Sequence, residues 1–256
     1  MNARFLSQLV DFPSRVSLAF LIAASVIFIF GSRHLITRST PVVGDLVPFD
    51  LGIKGTFDLW FSSQWQTGIG YEGVHPNALG IIGVLGIVFW GCMGFLRLVL
   101  TLGMVPIGVL GIWFLLKPFN SAWMKTAGAV IYFVAPVAYQ SISTGSWDGL
   151  ILFGCLPWML LFLARASRSS PFGPIGGPTS RFAYEADIFR EVLTLGFILG
   201  LVFSFSPLVL FAVTLTVVCL CVGSLVAGWK LGFSRLFLIL ILSYAMAAAL
   251  NFPWIL

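Results

Sequence analysis

The sequence predicts an all-α protein, a polytopic bundle of transmembrane helices, and three observations carry that expectation. Hydrophobic residues make up 59% of the chain and charged residues 9%, with a mean hydropathy of +1.04. Apolar runs of about 20 residues recur, the length a helix needs to cross roughly 30 Å of hydrocarbon. The alternating segments of a transmembrane β-barrel do not occur, whereas helices satisfy their own backbone hydrogen bonds, as lipid requires. The net charge of +5 does not point to nucleic acid, because the bases are dispersed at segment ends, where topology signals sit. Cys92, Cys155, Cys219 and Cys221 lie inside apolar runs and read as small buried hydrophobes. No Cys/His spacing suited to a metal is present.

Val16 to Gly31 is the first apolar segment and follows Arg4 and Arg15. No small-residue cleavage site follows it, so 1–31 reads as an uncleaved signal anchor. Residues 32–97 are expected to form a large first outer loop ending in an interfacial or re-entrant helix, and 98–256 a transmembrane bundle. Apolar stretches fall near 78–95, 98–116, 126–142, 149–164, 192–206 and 207–228, with a last one from about 234. Val192 to Gly228 is too long for one span. Ser204-Phe205-Ser206-Pro207 is its turn, because proline removes a helix donor and biases the residue before it away from helix. Ser169 to Pro178 reads as a loop, and Tyr184 to Glu191 as an amphipathic entry to the next helix. No polar tail closes the last apolar run, so the chain is expected to be the N-terminal piece of a longer protein.

Charge decides between two topologies. Positive residues favour the cytoplasm, which places Arg4/Arg15, Lys117/Lys125, Arg165/Arg168/Arg181/Arg190 and Lys230/Arg235 on one side. That holds only if one of the runs 78–95 and 98–116 spans. The Gly-rich 78–95 run is the weaker candidate and is expected to re-enter or lie flat on the outer side. The 32–77 loop and Asp148 then share the outer face. Arg33 and Arg38 argue mildly against this, although long loops follow the charge rule poorly.

The acids mark the candidate site. Asp45, Asp50, Asp58 and Glu72 lie in one polar stretch, Asp148 stands alone between two apolar segments, and none follows Glu191. A carboxylate beside the hydrocarbon is costly without a partner or a role. There it can act as a general base or hold a divalent cation. The alternative for Asp148 is a helix cap, and for the loop acids simple solvation. Phe57, Trp60, Phe61 and Trp65 recur at roughly helical spacing, as in an interfacial anchor; His75 is a lone loop histidine. Arg33, Arg38, Lys54 and Arg97 are candidates to bind a lipid phosphate.

The order of these features resembles that of the GT-C glycosyltransferases, which use polyprenyl-phosphate sugars. Pro136 followed by Gly145-Ser146-Trp147-Asp148 resembles the second outer loop of the oligosaccharyltransferase catalytic subunit, although Gly149 and Leu150 stand where further acids extend that motif. Asp58-Leu59-Trp60, Ser62-Ser63-Gln64-Trp65, Gly68-Ile69-Gly70, His75-Pro76 and Leu156-Pro157-Trp158 are similar to stretches of large actinobacterial arabinofuranosyltransferase-like envelope proteins. The similarity covers roughly 40–165. It implies a GT-C-like fold in a bacterial plasma membrane, and transfer from a polyprenyl-phosphate-linked sugar to an envelope glycan acceptor. Asp50, Asp58 and Asp148 would be the catalytic acids. Trp60, Trp65, His75 and Trp147 would contact substrate, and Arg38, Lys54 and Arg97 the lipid phosphate. The resemblance leaves metal dependence open. A transporter or flippase, or a structural subunit of envelope biogenesis, is the alternative.

Overall fold

The computed structural model describes residues 15–38, 51–62, 64–65, 71–72, 77–119, 121–166, 181–226 and 233–252. Its helices are α1 (Arg15–Gly31), α2 (Arg33–Arg38), α3 (Gly52–Phe61), α4 (Asn77–Val88), α5 (Met93–Leu102), α6 (Met104–Leu115), α7 (Ala122–Val134), α8 (Pro136–Thr144), α9 (Trp147–Ala166), α10 (Arg181–Phe205), α11 (Leu208–Val226) and α12 (Phe233–Leu250). Among the described residues the fold is all-α apart from one short antiparallel pairing, in which β1 (Gln64–Trp65) sets Gln64 opposite Glu72 and Trp65 opposite Tyr71 of β2 (Tyr71–Glu72). Trp147–Ala166 and Ile188–Phe205 are long and apolar enough to cross a membrane; α4 and α5 add a third span if that bent pair counts as one.

The turn expected at Ser206-Pro207 separates α10 from α11. The amphipathic entry is continuous with the apolar run behind it, and together they form the 25 residues of α10. Two expected stretches are broken instead. The 126–142 run divides at Ala135, which adopts an extended ψ of 129° ahead of Pro136, as the residue before proline must. The 78–95 run divides inside itself, and α4 meets α5 at 115°. Gly91 N–H donates to the Gly86 carbonyl (2.9 Å) and Trp90 N–H to Ile87 (3.0 Å), the double closure that ends a helix on a left-handed residue. That residue is Trp90 (φ 50°), followed by Gly91 (φ 79°). With 12 residues, α4 is about 18 Å long, well short of roughly 30 Å of hydrocarbon.

The most extensive packing joins α6 to α9 and α10 to α12. Both interfaces close over glycine. A Cβ on Gly108 would meet Phe153 O at 2.8 Å, and one on Gly111 would meet Pro157 Cβ at 2.8 Å. On α10, Gly196 and Gly200 lie under Met246 and Leu250, where a Cβ would come within 2.9 and 2.7 Å. Small residues let helix backbones approach where lipid supplies no hydrophobic drive. The contact pairs also set direction. α6 and α9 run parallel, and α7 returns against α6, with Gly128 beside Leu116 and Tyr132 beside Gly108. α10 returns against α9, since Trp147 meets Phe205 (6.5 Å between rings) at one end and Arg165 is in electrostatic reach of Arg190 at the other. α12 runs parallel to α10, from the Glu191–Arg235 ion pair (2.8 Å) to Asn251.

One end of this layer is therefore basic. Lys117 follows α6, Lys125 lies in the first turns of α7, Arg165 in the last turn of α9, and Arg190 and Arg235 near the starts of the apolar parts of α10 and α12. Trp147, Asp148, Phe205 and Asn251 mark the opposite end.

Pro157 lies inside α9 and cannot donate to the carbonyl four residues back. That carbonyl, Phe153 O, accepts instead from the Tyr132 hydroxyl at 2.6 Å, and the Tyr132 and Phe153 rings stack at 4.3 Å. Tyr132→Phe should lower stability by about 1 kcal/mol, measured as thermal unfolding in detergent. In a Pro157→Ala background the backbone N–H returns and the same substitution should cost less. An equal loss in both backgrounds would refute the assignment.

Candidate functional site

The stretch expected as the first outer loop contains α2, α3 and the β1–β2 pairing. α3 packs antiparallel on α4 through the glycines of the Gly-rich run. A Cβ on Gly80 would strike the Trp60 ring at 2.8 Å, one on Gly83 the Phe57 ring at 2.8 Å, and one on Gly86 would approach Ile53 at 3.2 Å. Phe57 and Trp60 therefore face protein, with ring centroids 6.3 Å apart. Phe61, the third aromatic of α3, is left outside at 76% exposed. Lys54 and Asp58 are exposed one helical turn apart on the outer side of α3.

The N-terminus of α4 is fastened to the bundle. Asn77 Nδ2 donates to Asn251 Oδ1 (3.0 Å) and lies 3.3 Å from Leu250 O. Asn251 is 1% exposed and uses its whole side chain. Its Oδ1 also accepts from Ser204 Oγ (2.7 Å), and its Nδ2 donates to Gly200 O (3.0 Å) and Ala247 O (2.9 Å). This network ties the exit of the first loop to the end of the layer that carries Asp148.

Asp148 lies in the first turn of α9 and is exposed. The capping contact comes from its neighbour: Ser146 Oγ lies 3.4 Å from Gly149 N–H as acceptor. The carboxylate of Asp148 is thus free of capping duty, and its negative charge complements the helix N-terminus. Trp147 is half-buried and packs against three apolar clusters. One of them gathers Ile82, Met93, Leu96 and Leu100 with Ile53 of α3. The residue beside Asp148 is thereby packed on the unit that displays Asp58. Among the described residues neither carboxylate has a hydrogen bond or ion pair.

The other candidate residues are divided. Asp50 and His75 lie outside the described residues. Trp65 is placed through its backbone pairing with Tyr71, and Arg38 through the backbone of α2. Trp60 and Trp147 are half-buried and engaged in packing. Arg97 is buried on α5 at 6% exposure, while Lys54 is at the surface, so the two do not form one exposed cationic patch. Among the described residues no three of His, Cys, Asp and Glu come together to hold a metal. The sequence reading missed Asn77 and Asn251. The available signal was an amide residue at the edge of an apolar run, where a buried amide needs partners.

No protein-family model, no curated protein and no solved structure matches this chain.

Gly83→Leu should push Phe57 off α4 and cost about 1–3 kcal/mol as overpacking. Gly94→Ala, with nothing within 4 Å of the added carbon, should cost nothing. Thermal unfolding checks both. Limited proteolysis should show α3 becoming cleavable in the first variant alone.

Proposed function

We propose that this chain is a GT-C-like membrane glycosyltransferase of the bacterial plasma membrane, which moves a sugar from a polyprenyl-phosphate donor to a cell-envelope glycan. One observation carries the reading. Two exposed carboxylates, Asp58 and Asp148, stand on elements joined to the same end of the helical layer, opposite the end that carries Arg165, Arg190 and Arg235. On the positive-inside rule that end faces outward. There one acid would take the proton of the acceptor hydroxyl as general base, and the second would orient the acceptor or the donor. Asp58, with Asp50 as the other loop candidate, fills the first role and Asp148 the second. Sugar contact falls to Trp65 and His75, since Trp60 and Trp147 hold the acid-bearing helices in place. Lys54, one turn from Asp58, and Arg38 remain for the lipid phosphate.

A second reading is favoured by a specific feature. The broken α4–α5 pair carries the buried Arg97, and transporters place charged groups on discontinuous helices. A flippase would use that arginine to pass a lipid phosphate.

Purified protein with a polyprenyl-phosphate sugar and envelope glycan separates the two. Asp58→Asn and Asp148→Asn should each abolish transfer while lowering stability by less than about 1 kcal/mol, because both side chains are exposed. Wild-type protein that transfers nothing, yet moves labelled polyprenyl-phosphate lipid across proteoliposomes in an Arg97-dependent way, would establish the flippase. A single cysteine at 148 that resists a membrane-impermeant thiol reagent on intact cells, while one at 170 is labelled, would sink the outward orientation.

A further inference from the structure

We propose that a groove between the first two helices and the α7–α8 pair seats the hydrocarbon chain of the lipid-linked donor. The inference rests on the glycosyltransferase reading and gives that substrate's chain a place on this protein. The groove has a volume of about 230 Å³, with Phe28, Gly31 and Leu35 on one wall and Phe133 and Tyr139 on the other. Its aromatic rings meet edge to face, Phe28 on Phe133 at 6.2 Å and Phe133 on Tyr139 at 6.4 Å between centroids, so packing holds the walls in place. The lining offers little to water. Ser32 Oγ is committed to the Phe28 carbonyl, and the Tyr139 hydroxyl is the other polar side-chain group. A dry apolar cavity accepts an apolar guest, and a void beside lipid forfeits dispersion contacts on one side. The volume suits one chain. It lies below the roughly 300–1,000 Å³ of sites that enclose a whole small molecule, so a headgroup stays outside.

The place of the groove on the layer selects the donor as its occupant. Phe28, Leu35, Leu102 and Ile142 line it and also belong to the apolar cluster of Leu150 and Trp147; Asp148 is the next residue after that tryptophan. Phe28 packs in addition on Val105, Ala138 and Phe153, about one turn deeper along α6 and α9, while Leu35 lies toward the Asp148 end. A chain laid along the groove therefore brings its headgroup to the level of Asp148. The Tyr139 hydroxyl has no hydrogen-bond partner among the described residues and can donate to a headgroup oxygen. The exposed Arg33 stands at the start of α2, its guanidinium over the Phe30 ring at 4.8 Å, and brings positive charge for a phosphate to that level. A polyprenyl phosphate has a single chain for a groove of this size, whereas a diacyl lipid leaves its second chain unplaced.

The test exploits Gly31, where an added Cβ meets nothing within 4 Å. Gly31→Leu fills the groove without displacing a neighbour. Gly223 is equally open but lies on α11, so Gly223→Leu is the control. The full chain in phosphatidylcholine nanodiscs is offered a short polyprenyl phosphate against phosphatidylglycerol, and native mass spectrometry reads which lipid is retained. Wild-type protein and Gly223→Leu should prefer the polyprenyl phosphate. Gly31→Leu should lose that preference with thermal unfolding unchanged. Tyr139→Phe alters no volume at the fold's expense and should weaken the preference a few-fold, about the worth of one hydrogen bond. Equal retention of both lipids by the wild type would overturn the proposal in favour of a general phospholipid site. An unchanged preference in Gly31→Leu and Tyr139→Phe would overturn it by placing the chain elsewhere, and would leave the glycosyltransferase reading standing. Asp148→Asn should bind like the wild type. Groove-dependent binding by a wild-type protein that transfers no sugar would uphold the polyprenyl site and sink the reaction alone.

Discussion

Close approach of helix backbones is the condition on which this structure depends. In hydrocarbon, an apolar side chain gains nothing by leaving lipid for protein, so association rests on van der Waals fit and on polar groups that find partners. The fit here is made by glycine. Gly108 and Gly111 admit α9, Gly196 and Gly200 admit α12, and Gly80 and Gly83 admit the rings of Trp60 and Phe57. At each, a single added carbon would lie within 3 Å of a neighbour. The Gly-rich run that looked like a poor membrane span is thus a groove, and α3 is what fills it.

Polar side chains finish what the glycines begin, and they do so where a backbone or side-chain group would otherwise be stranded. Tyr132 answers the carbonyl that Pro157 leaves open. Asn251 satisfies two acceptors and two donors at once, linking α4, α10 and α12. Glu191 answers Arg235 at the far end of the same pair of helices. A half-satisfied group in this setting costs more than a missing one. These contacts therefore restrict how α10 and α12 can slide, and they hold the first loop against the bundle.

The charges then give the layer two different ends. Arg165, Arg190 and Arg235 occur where apolar segments begin or end, and antiparallel returns of the chain bring them to one level. Asp58 and Asp148 come to the other. Both are exposed, and the neighbouring Phe57, Trp60 and Trp147 are held by packing.

Helical class, the turn at Ser206-Pro207, the clustering of basic residues at segment ends and the isolation of Asp148 were all legible in the sequence by itself. They depend on local rules: proline lacks a donor, apolar runs have a length, and charge avoids hydrocarbon. The position of the break within 78–95 was not legible, because it turns on a tryptophan in the left-handed region, which composition does not announce. Nor could spacing tell that Phe57 and Trp60 face α4 while Phe61 does not, since helical periodicity gives a face without naming its partner. That half-buried Trp147 packs against three apolar clusters at once was not legible either. Asn77 and Asn251 lie 174 positions apart, and only the tertiary structure could bring them together, because the hydrogen bond joining them depends on the folded path of the whole chain between them.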